Sequence, residues 1–434
     1  MASEPVRSVG LRPSVADVCA APRILVLAES LPYPTLKGGD LRTWQNVNAL
    51  AGFARVGVFG LCSNDSRRVS LPDVSLECWA ASTDAALTSP PPKGVRLAAR
   101  AWLLDPAGHP SDLYFSESAA RELGELLARL RVDIVLIEGL WLHRYLDVAR
   151  AAGCRTILDC HNVEAAVFRE LTRTSYGQRL EARVVRDILP VRTEAIEGNA
   201  VRAVDQLWVC SVEDECRLRD AYDPPVPIVV VPNGVRVAHY HTTPQGKARL
   251  PSAAPLTLVY PGIFSYLPNA FAAAFLVEEI LPRLAARCAE DYRLLLVGAM
   301  PTLELLAAAA LDPRIVVTGP VRDVRPCFAA ATAMPVPLFQ GGGTRLKVLE
   351  AFAAGVPVVS TTKGVEGLGV RDGMHLLIAE SGADFVDALI AIWRDPTLAD
   401  RLTANARVLV AERFSWGTVG MRIRQAVDAL EHAA

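Results

Sequence analysis

FQGGGTRLKVLEAFAAGVPVVSTTK, residues 339–363, reads as a glycine loop that feeds a helix and then a strand. An apolar run, Met334–Leu338, precedes it, and Gly341, Gly342 and Gly343 break that run. Leu346, Leu349, Ala353 and Val356 fall at helical spacing, which predicts a core-facing helix from about Thr344. Gly355 caps that helix, Pro357 ends it, and Val358-Val359 opens the next strand. A glycine loop entering a helix lets backbone N–H groups approach an anion, and the helix dipole favours it there. Arg345 and Lys347 add positive charge to the first turn, where the dipole alone disfavours it. A phosphate at that spot removes the conflict. Lys347 and Glu350 share one face of the helix. The glycines alone fit equally well a tight turn into a core helix with a Lys–Glu surface pair.

The order GGGTRLKVLEAFAAGVPVVST, followed by Gly364-Val365-Glu366-Gly367, resembles the donor-binding segment of the family 4 (group 1) glycosyltransferases. The resemblance implies the GT-B fold: two doubly wound, parallel-sheet, Rossmann-like domains facing each other across a cleft. It implies that Glu350 binds the ribose of a sugar nucleotide. Gly341, Gly342, Gly343, Thr344, Gly262, Glu366 and Gly367 would then surround the donor. The family usually has a second carboxylate at the position of Gly342, and this chain departs from that pattern. Contact to the donor sugar then has to come from backbone N–H groups or from elsewhere.

Composition is that of a globular protein: 434 residues, 51% hydrophobic, 21% charged, formal net charge −2. That length predicts two domains. The near-neutral charge gives no nucleic-acid footprint. Nine scattered cysteines have no zinc-like spacing and read as reduced thiols of a cytoplasmic protein. No apolar run reaches the length of a membrane span. Residues 1–22 lack the apolar core of a secretory signal and read as a disordered leader.

The first domain is expected over 23–235. Arg23–Ala28 reads as a buried parallel strand. ESLPYPTLKGGD follows as its carboxyl-end loop, with Asp40 as N-cap of the next helix. Gly38 and Gly39 match the family's glycine loop of this domain, which implies donor contact. Lys37 and Arg42 flank them as candidate substrate contacts. Residues 63–112 read as an irregular region around one short strand. Their basic, apolar piece 93–104 reads as an amphipathic helix on the domain; peripheral contact with a membrane or with an acceptor is its other use. Asp133–Glu138 and Arg155–Asp159 are further buried strands, the second followed by Cys160-His161-Asn162-Val163-Glu164. Polar residues at the carboxyl ends of parallel strands are where open α/β sheets bind ligands. His161 also matches the family's active-site histidine. Residues 178–203 read as a long charged helix kinked or broken at Pro190, with Glu194 and Glu197, one turn apart, on an exposed face; a general acid/base pair is their other reading. Pro232-Asn233-Gly234-Val235 resembles the family's turn at the domain junction.

Residues 236–254 read as a linker, and 255–415 as the nucleotide-sugar-binding domain. Its first strand-end loop, Pro261-Gly262-Ile263-Phe264, carries no Lys or Arg through Asn269. Phosphate charge would therefore fall on Arg345 and Lys347. Residues 416–434 form a last helix, which in the family crosses back to the first domain.

The resemblance implies a retaining transfer of a sugar from a nucleotide-sugar donor to a hydroxyl acceptor, without metal or cofactor. His161 would contact the donor sugar, and Arg345, Lys347 and the loop N–H groups would stabilise the diphosphate. The acceptor and the oligomeric state are not given by the sequence. Two alternatives stand beside this reading: a nucleotide-sugar epimerase on the same fold, and a non-catalytic glycosyltransferase-like subunit that activates a partner.

Overall fold

The computed structural model describes residues 21–35, 38–62, 71, 74–84, 87, 109–175, 180–240, 255–288 and 292–432. The leader through residue 20, Lys37, the piece 93–104 and the linker from 241 lie outside the described residues.

Seven strands form the first sheet: β1 Arg23–Ser30, β2 Arg55–Cys62, β3 Cys78–Ala81, β4 Ile134–Glu138, β5 Arg155–Cys160, β6 Gln206–Val209 and β7 Ile228–Val230. Their order is β3-β2-β1-β4-β5-β6-β7, with every pairing parallel. The central strands are continuous apolar runs because helices cover both faces of a parallel sheet. IVLIE of β4 is buried throughout.

Four helices of this domain bear on the site. They are α1 Gly38–Ala51, α2 Glu164–Ser175, α3 Leu180–Arg202 and α4 Val212–Tyr222. Helix α1 begins at Gly38, so Asp40 is buried inside its first turn rather than standing before it. Pro190 lies within α3, and the helix continues past it.

The second domain has six strands: β8 Leu256–Pro261, β9 Tyr292–Val297, β10 Ile315–Val317, β11 Met334–Val336, β12 Val358–Ser360 and β13 Leu377–Ile378. They run in two parallel triples, β10-β9-β8 and β11-β12-β13, joined by a parallel bridge from Leu258 to Ala333. Helix α5 (Leu267–Phe275) follows β8, and α6 (Leu346–Ala354) joins β11 to β12. The loop 337–345 is longer than the periodicity implies: Thr344 stays outside α6 and Arg345 takes the N-cap position. Gly355 closes α6 in the left-handed region.

Helix α7 (Trp416–His432) leaves the second domain and lies on the first. Its buried stripe Val419, Ile423, Val427 and Leu430 joins Ile24, Val26, Trp44 and Val47 in one core. Gln206 Nε2 donates to the Ala426 carbonyl at 3.0 Å. Both domains therefore present the carboxyl ends of their strands toward one cleft while α7 ties their backs.

Candidate active site

Two walls meet at the cleft. Asn162 stands on the wall of the first domain, at the end of β5. The loop Gly341-Gly342-Gly343 stands on the wall of the second. A Cβ built on Gly342 would be 2.5 Å from Val167 Cγ2 and 2.8 Å from Asn162 Oδ1. One built on Gly343 would be 2.8 Å from the same oxygen. The loop is thus seated against Asn162 with no room for a side chain at 342. Gly38 faces the same place, 3.5 Å in that measure from Leu346 of α6.

Arg345 does not reach into the cleft. It is buried and folds back on its own loop, donating to the carbonyls of Gly341 at 2.7 Å, of Gly343 at 3.0 Å, and of Gly342. The expectation of an Arg345 side chain held out for a phosphate is corrected. Charge in the first turn is tolerated because it neutralises three carbonyl dipoles at close range. The consequence favours an anion indirectly, for with the carbonyls engaged, the N–H groups of Gly341, Gly342 and Gly343 have no partner among the described residues.

Lys347 supplies the cation at this wall. Its Nζ donates to Asn269 Oδ1 at 2.8 Å and lies 4.0 Å above the Tyr260 ring. Burial, and then the charge of Arg345, lower its pKa to about 7. The strand-end glycine makes this seat: a Cβ on Gly262 would be 3.3 Å from Nζ and 2.9 Å from the Asn269 amide. A turn later, Glu350 accepts from Tyr240 Oη at 2.9 Å, and burial raises its pKa despite that bond and the charge of Lys347.

On the other wall, the ring of His161 is set by a buried charge cluster. Its Nε2 meets Glu138 Oε2 at 3.0 Å and Asp159 Oδ2 at 3.6 Å. Burial works against the charged ring, but the bond to Glu138 and the charge of Asp159 raise its pKa. Nδ1 has no partner among the described residues. Glu138 and Asp159 are cross-strand neighbours at the ends of β4 and β5. Arg42 serves this pair. It donates through Nε to Asp159 Oδ2 at 2.8 Å, forms a second bond to the same carboxylate, and bonds the Val231 carbonyl at 2.9 Å. It is 2% exposed, so its expected role as a substrate contact is corrected: it is a structural cation. Thr43 and Asn46 donate to Glu138, each at 3.0 Å.

Glu138, Asp159 and His161 place ligand atoms within 4.8 Å of one another, as a metal set would. The guanidinium on Asp159 and the hydroxyl and amide on Glu138 already engage these oxygens. The cluster therefore fits a braced histidine better than an ion.

Glu197, expected on an exposed face, is 1% exposed. It accepts from the backbone N–H of Glu164 at 2.7 Å and of Ala165 at 3.2 Å, and from Tyr222 Oη at 2.6 Å. It caps α2 from another helix, so its donors are invisible to local sequence. Glu194 does face out and pairs with Arg169. Glu366, expected beside the donor, spans the two domains. It pairs with Arg217 of α4 and, at 2.9 Å, with Lys363, which also reaches Glu170 at 3.1 Å. The adjoining Gly367 backs onto Ser211.

Residues 255–395 match the family described as "Glycosyl transferases group 1", and residues 42–234 match "Glycosyl transferase 4-like domain". The chain belongs to the group 1 glycosyltransferases. A phosphatidyl-myo-inositol mannosyltransferase of Mycobacterium leprae (strain TN) is 30% identical over 209 residues. That match covers 46% of this chain and 54% of the relative, so the chain spans about half the length of the curated relative it matches. A sucrose-phosphate synthase from Thermosynechococcus elongatus has a TM-score of 0.69 at 18% identity, covering 95% of this chain and 100% of that one. HepE of Anabaena, solved in complex with UDP, has 0.63 at 14% identity, covering 94% and 100%. These neighbours establish the GT-B fold.

The glycosyltransferase cleft yields one immediate expectation. Gly342→Ala should cost the closed arrangement about 1–3 kcal/mol, because the methyl group overpacks against Val167 and Asn162. Small-angle scattering should show a larger radius of gyration, with secondary structure unchanged by circular dichroism. An unchanged radius would mean that the contact yields by side-chain movement alone.

Proposed function

We propose that this glycosyltransferase moves a sugar from a nucleotide-sugar donor to a hydroxyl acceptor, with retention of configuration and no need for metal or cofactor. One observation carries the reading. Among the described residues the N–H groups of Gly341, Gly342 and Gly343 have no partner, and they lie in the loop that leads into α6, within the domain that matches the group 1 family. Such groups take an anion, and the helix dipole adds to their pull. Lys347 lies on the same side of the loop as the seat made by Gly262 and Asn269. It neutralises the diphosphate as that group leaves, where electrostatic stabilisation counts most. Glu350 accepts from the ribose hydroxyls in place of Tyr240. His161, braced by Glu138, presents Nδ1 to the donor sugar. Closure of the loop on Asn162 excludes water and so limits hydrolysis. HepE binds UDP, and structures of it with UDP-glucose and with UDP and glucose share this fold, which supports a nucleotide-sugar donor here.

Among the described residues no helix is long and apolar enough to cross a membrane. Peripheral association at a cytoplasmic membrane face accords with that and is part of the proposal, as is a glycan, lipid-linked or natural-product acceptor bound by the first domain.

The test is thermal stability against UDP, GDP, ADP and dTDP without added metal, since a ligand of the folded state raises the midpoint with occupancy. One diphosphate should raise it, and Glu350→Ala should weaken that ligand about tenfold, or about 1.4 kcal/mol, as expected for a lost charge-assisted bond. No shift with any of the four would overturn the donor assignment and favour a non-catalytic subunit.

A further inference from the structure

The two walls of the cleft differ in what they offer a ligand. On the loop side there are no side chains at 341–343, and all three carbonyls accept from Arg345. What remains are N–H donors, which suit phosphate oxygens. A sugar presents hydroxyl groups, which donate, and the glycine loop offers them only carbonyl oxygens already bonded to Arg345. Side-chain acceptors come from the facing wall.

That wall provides two. Asn162 Oδ1 is the atom nearest the Cβ position of Gly343. Asn162 Nδ2 donates to Glu164 Oε1 at 3.1 Å, which orients the carboxylate. The second carboxylate oxygen of Glu164 has no partner among the described residues. Glu164 is close enough to His161 and to Tyr266, which borders the loop at Gly341, for their charges to interact. Burial raises its pKa, against the bond from Asn162 and the charge of His161. No cation pairs with it among the described residues. The backbone around it is fixed from behind by Glu197, which accepts from the N–H groups of Glu164 and Ala165.

We propose that Glu164, oriented by Asn162, is the carboxylate that reads the hydroxyl groups of the donor sugar, supplied from the first domain to a glycine loop that has none. This rests on the nucleotide-sugar reading above. Because the carboxylate and the diphosphate cradle belong to different domains, the sugar is gripped only when the cleft is closed. Hydroxyl-to-carboxylate bonds are charge-assisted, so a substantial share of the sugar's contribution to affinity should pass through this residue.

Calorimetric titration of the full chain separates the sugar from the nucleotide. The probes are UDP with UDP-glucose and UDP-galactose, GDP with GDP-mannose, and ADP with ADP-glucose. Wild type should bind one conjugate at least tenfold more tightly than its parent diphosphate. Glu164→Gln, which keeps the size and the helix start, should lose most of that ratio while the diphosphate Kd stays within twofold. Asn162→Ala, which leaves α2 untouched, should lose part of it.

A ratio unchanged in Glu164→Gln overturns the assignment. So does an equal loss of diphosphate and conjugate, the signature of a purely structural role at the start of α2. A wild type that binds diphosphate and every conjugate alike overturns it too, while leaving the nucleotide site intact. If no diphosphate binds wild type, the donor reading itself falls, and this inference with it.

Discussion

Arg42→Ala should cost about 3–5 kcal/mol of stability, the range for removing one partner of a buried ion pair. The guanidinium is the cation inside a cluster that holds Asp159 and Glu138 side by side at the ends of two central strands. It also bonds the Val231 carbonyl and, at 3.2 Å, Asn233 Oδ1, so it fixes the domain-junction turn. Without it, two adjacent carboxylates face a dry interior with only Thr43, Asn46 and His161 to answer them. Urea unfolding followed by circular dichroism measures the loss. Arg42→Lys should recover part of the stability, since a point charge cannot reproduce the forked contacts. A midpoint equal to wild type in Arg42→Ala would remove the residue from this role. Activity should fall along with stability, because the same carboxylates hold the ring of His161.

Lys347→Ala should lower kcat by roughly 10- to 100-fold, which corresponds to about 1.4–2.7 kcal/mol of lost stabilisation of the leaving diphosphate. The pH dependence of binding gives a sharper test. In the free protein the lysine has a pKa of about 7, lowered first by burial and then by Arg345. A diphosphate beside it favours the charged form and raises that pKa, so binding takes up a proton. Below about pH 7 the lysine is already charged and affinity is flat. Above it, the Kd should rise with pH by up to about tenfold per unit, until the pKa of the complex is passed. Lys347→Met should bind more weakly and lose this dependence. A wild-type Kd independent of pH between 6.5 and 8.5 would remove the lysine from the diphosphate site. A kcat within twofold of wild type in Lys347→Ala would do the same for catalysis.

Periodicity placed α6 through Leu349 and Ala353, which are core residues, whereas Leu346, expected beside them, is only partly buried and borders Gly38 of the first domain. The two-domain organisation followed from strands alternating with helices. His161 and the loop 341–343 were recognisable because both lie at carboxyl ends of parallel strands, and the structure brings them to one cleft. The errors share a cause. Arg345, Arg42 and Glu197 were read as charged, and therefore as facing water or ligand. Each is instead engaged by protein groups: by its own loop's carbonyls, by a carboxylate 117 residues away, and by the start of another helix. The carboxylates ending IVLIE and RTILD held an unused signal. Two acids at the ends of adjacent buried strands need a cation, and Arg42 is the cation that α1 supplies.

Local physics, then, determined where this chain has strands, helices and an anion-ready loop, since apolar spacing, glycines and helix dipoles act within a few residues. Tertiary structure alone decided which charges are free. The Arg345 side chain turns back because three carbonyls of its loop converge on it. Glu350 meets Tyr240 only because the short helix Val237–Tyr240 packs beside α6. The space at Gly342 is taken by Asn162 and Val167, from a domain some 180 residues earlier in the chain. Whether a polar group binds a ligand depends on whether folding leaves it without a protein partner, and that is a property of the assembled cleft.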